Sequence, residues 1–195
     1  MPIDHKKKLI FIHIPKNAGT SILKTKDCNW QDNPGGHRSW KYYSSQYPKE
    51  WKEYTSFAII RDPIDRLISN YQYAKMRKSY YHDSDSITIH PEYKLCSAFD
   101  INTFLELVFQ SSINLRYVGW KPQNIWITNN GKCQVQRIIN YSNLDFELTS
   151  LGITKLPKIN LSDRNNECSI SPKNIKRLKE FYSDDYKLFG FQLNY

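Results

Sequence analysis

The chain of 195 residues has four cysteines, and no two of them stand in a CxxC pair. Cys28, Cys96, Cys133 and Cys168 do not match the usual structural zinc spacings. They read as buried or incidental thiols in a reducing compartment, not as a disulfide framework. No apolar run approaches the roughly 18 residues that a membrane helix requires. There is no internal repeat and no long low-complexity tract. Neither a helix-turn-helix nor an RNA-recognition signature appears, so nucleic acid is not the expected partner. The pattern GxxxxGK[ST] is missing, and with it the lysine followed by a magnesium-binding hydroxyl that marks nucleotide triphosphatases. No spacing of ligands suggests a metal site; His82 and His90 fall in a polar, aperiodic stretch with no such pattern.

What remains is a basic chain with enough apolar residues for one folded domain over residues 1–195, 39% in all. The net charge is +9, from 28 Lys and Arg against 19 Asp and Glu. That favours an anionic ligand, or simply a basic surface. The opening "MPIDHKKKLIFIHIPK" is basic and then apolar, as in a signal peptide. The apolar part is short and rich in β-branched residues, however, and His13 and Lys16 follow at once. It reads as a first strand, and a cytoplasmic location is expected.

Lys8 to Ile14 and Tyr54 to Arg61 have the composition of buried strands. A helix is expected from Thr20 to about Lys26, and another from His37 towards Pro48. Asp62, Pro63 and Asp65 open a helix as N-cap, first position and acidic first turn. Ile64, Leu67, Ile68 and Tyr71 give it an apolar stripe. Ser79 to Ser97 reads as a surface loop, "INTFLELVFQ" as a short buried helix, and "NIWITNNGKCQVQRII" as a hairpin around Asn130-Gly131. Ser142 is placed to cap a helix ending before Gly152. Ser171 and Pro172 start a last helix with Ile175, Leu178 and Tyr182 inward. The early alternation of strand and helix gives an α/β class with a partly parallel sheet.

Two stretches carry chemistry. "PKNAGTS", Pro15 to Ser21, joins a strand to a helix. Such a loop offers backbone N–H groups to an anion; Gly19 permits close approach, Thr20 and Ser21 add hydroxyls, and Lys16 adds a charge. An ordinary strand-to-helix turn with a surface lysine is the alternative. "RDPIDRLISNY", Arg61 to Tyr71, puts an arginine at a strand end, where open α/β sheets bind ligands. Ser69 lies two helical turns beyond Asp62. The alternative there is a surface salt-bridge cluster of Arg61, Asp62 and Arg66.

Taken together, "HIPKNAGTS" and "RDPIDRLISNY" resemble the cytosolic and Golgi-type sulfotransferase superfamily, in particular its carbohydrate sulfotransferase branch. "GGHRSW", "KPQNIWI", "INYSNLDFELTSLG", "LPKINLS" and "FYSDDYKLFGF" extend the likeness more weakly along the chain. The resemblance implies a P-loop-kinase-like three-layer fold, with a central, mainly parallel sheet flanked by helices. It implies 3′-phosphoadenosine 5′-phosphosulfate (PAPS) as donor, its bisphosphate as product, and no metal. The first loop then holds the 5′-phosphosulfate through Lys16, Asn17, Ala18, Gly19, Thr20 and Ser21. Arg61 and Ser69 hold the 3′-phosphate. Asn160, Ser162 or Arg164 would lie beside the nucleotide.

In such an enzyme Lys16 stabilises the leaving phosphate, and a histidine takes the acceptor's proton. "GGHRSW" makes His37 the first candidate base, with His13 second and near the acceptor. Trp40 belongs to an aromatic group around His37 that suits a sugar ring. Lys41, Lys49 and Lys52 suit an acidic glycan. The expected acceptor is thus a hydroxyl of a glycan or similar metabolite, its identity and the oligomeric state left open. The rival readings are a P-loop nucleotide kinase and a non-catalytic polyanion-binding module.

Overall fold

The computed structural model describes residues 2–31, 36–76, 89–110, 114–157 and 168–192. Its main sheet has the order β1-β2-β3-β6, where β1 is Ile3–Asp4, β2 Leu9–Ile12, β3 Thr55–Ile60 and β6 Arg137–Asn140. β2, β3 and β6 run parallel, and β1 is antiparallel at the edge. The result is a mixed α/β fold with a mostly parallel central sheet flanked by helices.

The strands are apolar on both sides, as parallel strands under helices must be. Side chains alternate between faces. Ile10, Ile12, Ala58 and Ile60 pack on one face with Tyr43 of α2 (Trp40–Gln46) and with Trp126 and Ile127 of α7 (Asn124–Ile127). Leu9, Phe11, Phe57, Ile59 and Ile139 pack on the other, against Ile22 of α1 (Gly19–Leu23) and Leu148 of α8 (Leu144–Thr149). A third core lies among helices. Ile64, Leu67 and Tyr71 of α4 (Pro63–Lys75) meet Cys96 of α5 (Tyr93–Ala98), Phe104 of α6 (Ile101–Phe109) and Leu178 of α9 (Pro172–Phe181). Asp62 caps α4 as expected, accepting from the backbone N–H of Ile64 and Asp65 at 2.9 Å each.

Several elements differ from the sequence reading. The Asn130-Gly131 hairpin exists, with both residues at positive φ, but it joins only β4 (Thr128–Asn129) and β5 (Lys132–Cys133). The apolar residues after it instead extend the parallel sheet as β6. Tyr93–Ala98 is helical, although the chain up to Ser97 read as loop, and His90 and Glu92 before it are buried. Glu92 accepts from the backbone of Arg116 at 2.7 Å and from Trp120 Nε1 at 3.2 Å. Ser142 lies in a single 3-10 turn, and Asn143 holds the N-cap position of α8. A further helix, α10 (Ser183–Phe189), follows α9. Between α2 and β3 lies α3 (Pro48–Glu53). His82, Asn160, Ser162 and Arg164 lie outside the described residues.

Among the described residues no helix is long and apolar enough to cross a membrane, and no cluster of His, Cys, Asp or Glu is arranged to hold a metal ion. All four cysteines are free thiols.

Candidate active site

Residues 15–18 leave β2 at its C-terminal end and turn sharply into α1. Lys16 and Ala18 have φ of 67° and 57°. Left-handed backbone costs a non-glycine residue about 1–2 kcal/mol, so something must hold the turn. Asn17, between the two, is fully buried. Its Nδ2 donates to the Ile59 carbonyl at 2.7 Å and to Gln123 Oε1 at 2.6 Å. The loop is therefore pinned from below by its central side chain. α1 is only five residues long, shorter than expected, so its dipole is small and the side-chain charges dominate.

Those charges are Lys16 and Arg61. Arg61 follows β3 and is 6% exposed. Its Nη1 donates to the Lys16 carbonyl at 3.2 Å, its Nε to Asp65 Oδ2 at 2.6 Å, and its guanidinium lies 4.5 Å from the ring centre of Tyr141. The Lys16 ammonium lies 3.9 Å from the ring centre of Tyr73 on α4. Burial, and then the nearby Arg61 charge, push Lys16 down to about 7. Two cations thus share one partly desolvated strand end. The sequence alternative of an exposed salt-bridge cluster fails at Arg66. That guanidinium is buried and donates to the carbonyls of Gly119 and Lys121.

Beside the loop stand two histidines. His37 Nδ1 is 2.9 Å from the His13 carbonyl, and the two rings are 4.4 Å apart. A carbonyl only accepts, so Nδ1 carries the proton and Nε2 of the neutral ring keeps its lone pair. His13 in turn lies against the loop: a Cβ on Gly19 would fall 1.8 Å from its Nε2. Gly19 is there because no side chain fits. Burial is the first cause lowering the pKa of both rings. The His37 charge comes next for His13, and the Lys16 charge lowers His37 further, while the bond to the His13 carbonyl opposes.

A model of the sulfotransferase family matches residues 1–192. The chain belongs to the sulfotransferase family. No curated protein and no solved structure matches it. Membership marks this protein as a transferase of sulfuryl groups.

Within this sulfotransferase the two motifs do converge. Lys16, Asn17 and Arg61 are joined by hydrogen bonds around one strand end, and His13, Gly19 and His37 are in direct contact beside them. Thr20 and Ser21 follow in α1, both half-buried. Ser69 is buried on α4, and no hydrogen bond links it to Arg61. Trp40 donates its indole N–H to the Thr128 carbonyl at 2.9 Å, which ties α2 to the hairpin and leaves the ring faces for other contacts.

Sequence reasoning missed Gln123 and Asp185, both fully buried at this strand end. Gln123 sits in "KPQN" just before α7, a place where a polar residue looks like a loop. Asp185 sits in "SDDY", where it resembles an acidic first turn. The only local hint was that both fall in segments with a weak family likeness.

Proposed function

We propose that the protein transfers a sulfuryl group from PAPS to a hydroxyl of a glycan or similar acceptor, on a P-loop-kinase-like fold. One observation carries this reading. Lys16, half-buried, and Arg61, buried, come from the two motifs and stand side by side, and among the described residues the partly exposed Asp65 is the acid paired to Arg61. Such an excess of partly desolvated positive charge costs free energy until an anion arrives. Lys16 at about 7 is the sign of that cost. The residues therefore fit a ligand with two anionic ends.

PAPS supplies the sulfuryl group and a phosphate as the leaving group. Lys16 and the loop N–H groups would hold the 5′-phosphosulfate, and Arg61 the 3′-phosphate. Lys16 would then stabilise charge as it builds on the departing phosphate oxygen. His37 Nε2, kept unprotonated by the bond from Nδ1 to His13, takes the acceptor's proton as the new S–O bond forms. The backbone of His13 fixes that tautomer, and its ring supports the loop. Arg38 and Lys41, both exposed next to His37, would favour an acidic acceptor.

A thermal-shift series tests the donor. Adenosine 3′,5′-bisphosphate at 100 times its Kd should stabilise the fold by about 2.7 kcal/mol. ATP with magnesium should do much less. A larger shift with ATP and magnesium would favour a kinase instead. Transfer of labelled sulfate from PAPS to a panel of glycans then identifies the acceptor.

A further inference from the structure

We propose that Gln123 is a positioning residue: its amide takes the place of a missing strand neighbour on β3 and locks Arg61 and the anion loop into one frame. The inference rests on the reading of Lys16 and Arg61 as two ends of one nucleotide site.

The backbone carries the argument. β2 and β3 pair from Leu9↔Thr55 to Ile12↔Ala58, after which β2 leaves to form the loop. Thr55 donates its N–H to the Lys8 carbonyl, so odd-numbered residues of β3 turn their backbone groups towards β2. Beyond Ile12, the Ile59 carbonyl and both backbone groups of Arg61 would therefore face an empty edge. Two side chains fill it. Asn17 Nδ2 donates to the Ile59 carbonyl at 2.7 Å. Gln123 Oε1 accepts from Arg61 N–H at 3.0 Å, and Gln123 Nε2 donates to the Arg61 carbonyl at 2.8 Å. A side-chain amide thus makes the pair of bonds that a strand would make.

The same amide reaches the loop. Gln123 Oε1 also accepts from Asn17 Nδ2 at 2.6 Å, and Nε2 approaches Asp185 Oδ2 at 3.4 Å. Two lone pairs and two N–H groups are the whole capacity of a glutamine amide, and all four are engaged. Gln123 is itself anchored from α10. Asp185 Oδ2 accepts its backbone N–H at 2.7 Å, and Oδ1 accepts that of Asn124 at 2.8 Å. The motif from β2 and the motif from β3 therefore share one rigid joint, and α10 fixes that joint.

The test is calorimetry on the full chain, with adenosine 3′,5′-bisphosphate and the two adenosine monophosphates as probes. Gln123→Glu keeps the shape and the acceptor. Near about pH 5.5 its burial beside Asp185 keeps one proton on the pair, which removes the like-charge repulsion and leaves a single O–H in place of two N–H donors. Near about pH 8 that proton leaves, and two carboxylates face each other. Relative to wild type at the same pH, affinity for the 5′- and the 3′-monophosphate should fall together by about tenfold at the higher pH, and recover at the lower. A residue that served the fold alone would shift melting without this paired, reversible loss.

If Gln123→Glu does not fold at the higher pH, Asn17→Ala carries the test. It removes the loop's bonds to Gln123 Oε1 and to the Ile59 carbonyl but leaves both Gln123 bonds to Arg61, so 5′-monophosphate binding should weaken while 3′-monophosphate binding stays. Wild-type binding with unchanged affinity in Gln123→Glu overturns the proposal alone, as does equal loss of both monophosphates in Asn17→Ala. Failure of wild type to bind the bisphosphate overturns the nucleotide reading beneath it.

Discussion

Asp65 Oδ2, in the first turn of α4, lies 2.6 Å from Nε of Arg61, four residues earlier in the chain. The carboxylate is 41% exposed, while the guanidinium is almost fully buried. Asp65 orients Arg61, and its charge opposes any phosphate that Arg61 holds. With one partner this exposed, the pair is worth up to about 1 kcal/mol. Asp65→Asn should therefore tighten adenosine 3′,5′-bisphosphate by about two- to fivefold. Arg61→Ala should weaken it by about 1.5–3 kcal/mol, the worth of a charge-assisted bond, and barely change adenosine 5′-monophosphate. Calorimetry with both ligands decides; equal losses for both would remove Arg61 from the 3′-phosphate.

Lys16 titrates near 7 in the free protein because burial and Arg61 disfavour its charge. A bound anion reverses that balance and raises the pKa. Above 7 the free lysine is mostly neutral and the bound lysine charged, so binding must take up a proton and affinity must fall as pH rises. Binding heats measured in buffers of different ionisation enthalpy should show that uptake. Heats independent of the buffer would mean that Lys16 does not meet the anion. Lys16→Ala should cost turnover about 3 kcal/mol or more of transition-state stabilisation.

On the proposed mechanism His37 acts as a base in its neutral form. Its pKa lies below the ordinary 6.5, through burial first and the Lys16 charge as the remaining lowering cause. Turnover should rise with pH through that lowered value and then level off. kcat/KM should fall again near 7, where free Lys16 loses its proton. His37→Ala should lower kcat by about 10²–10⁴ and leave bisphosphate affinity nearly unchanged. Loss of both together would make His37 a nucleotide contact.

Gly19→Ala places a methyl group where the His13 ring lies, 1.8 Å from Nε2. Overpacking of this kind costs about 1–3 kcal/mol. Because one ring is the obstacle, the double variant with His13→Ala should cost less than the sum of the single changes. Melting curves of the three variants measure the coupling. Additive losses would mean that the loop backbone, not His13, sets the limit.

The parts of this fold with a local signature could be read directly. β2 and β3 announce themselves as apolar, β-branched runs, and α4 through Asp62, Pro63 and its apolar stripe. The loop after β2 and Arg61 stood out because charged and small residues stand at strand ends. What stayed hidden depends on distant partners. Glu92 is a polar residue whose burial makes sense only once Arg116 and Trp120 close over it. The same holds for Gln123 and Asp185, whose burial no periodicity records. β6 was mistaken for a hairpin arm because the Asn130-Gly131 turn is genuine, while the choice between a local partner and β3 is made by the sheet. Arg66 looked like a surface charge for the same reason: its acceptors are backbone carbonyls 53 and 55 residues away.

The joint at Gln123 also bears on how the protein comes into being. Asn17 must meet a residue 106 positions later, and that residue must meet another 62 positions beyond. Contacts so far apart in sequence form slowly, after the local helices. A chain still emerging from the ribosome can build β2 and β3 early, yet the joint between their ends is not anchored until Asp185 has been made. On the proposed function, competence to grip the nucleotide would then arrive in one late step, and a half-made chain would not sequester the sulfate donor.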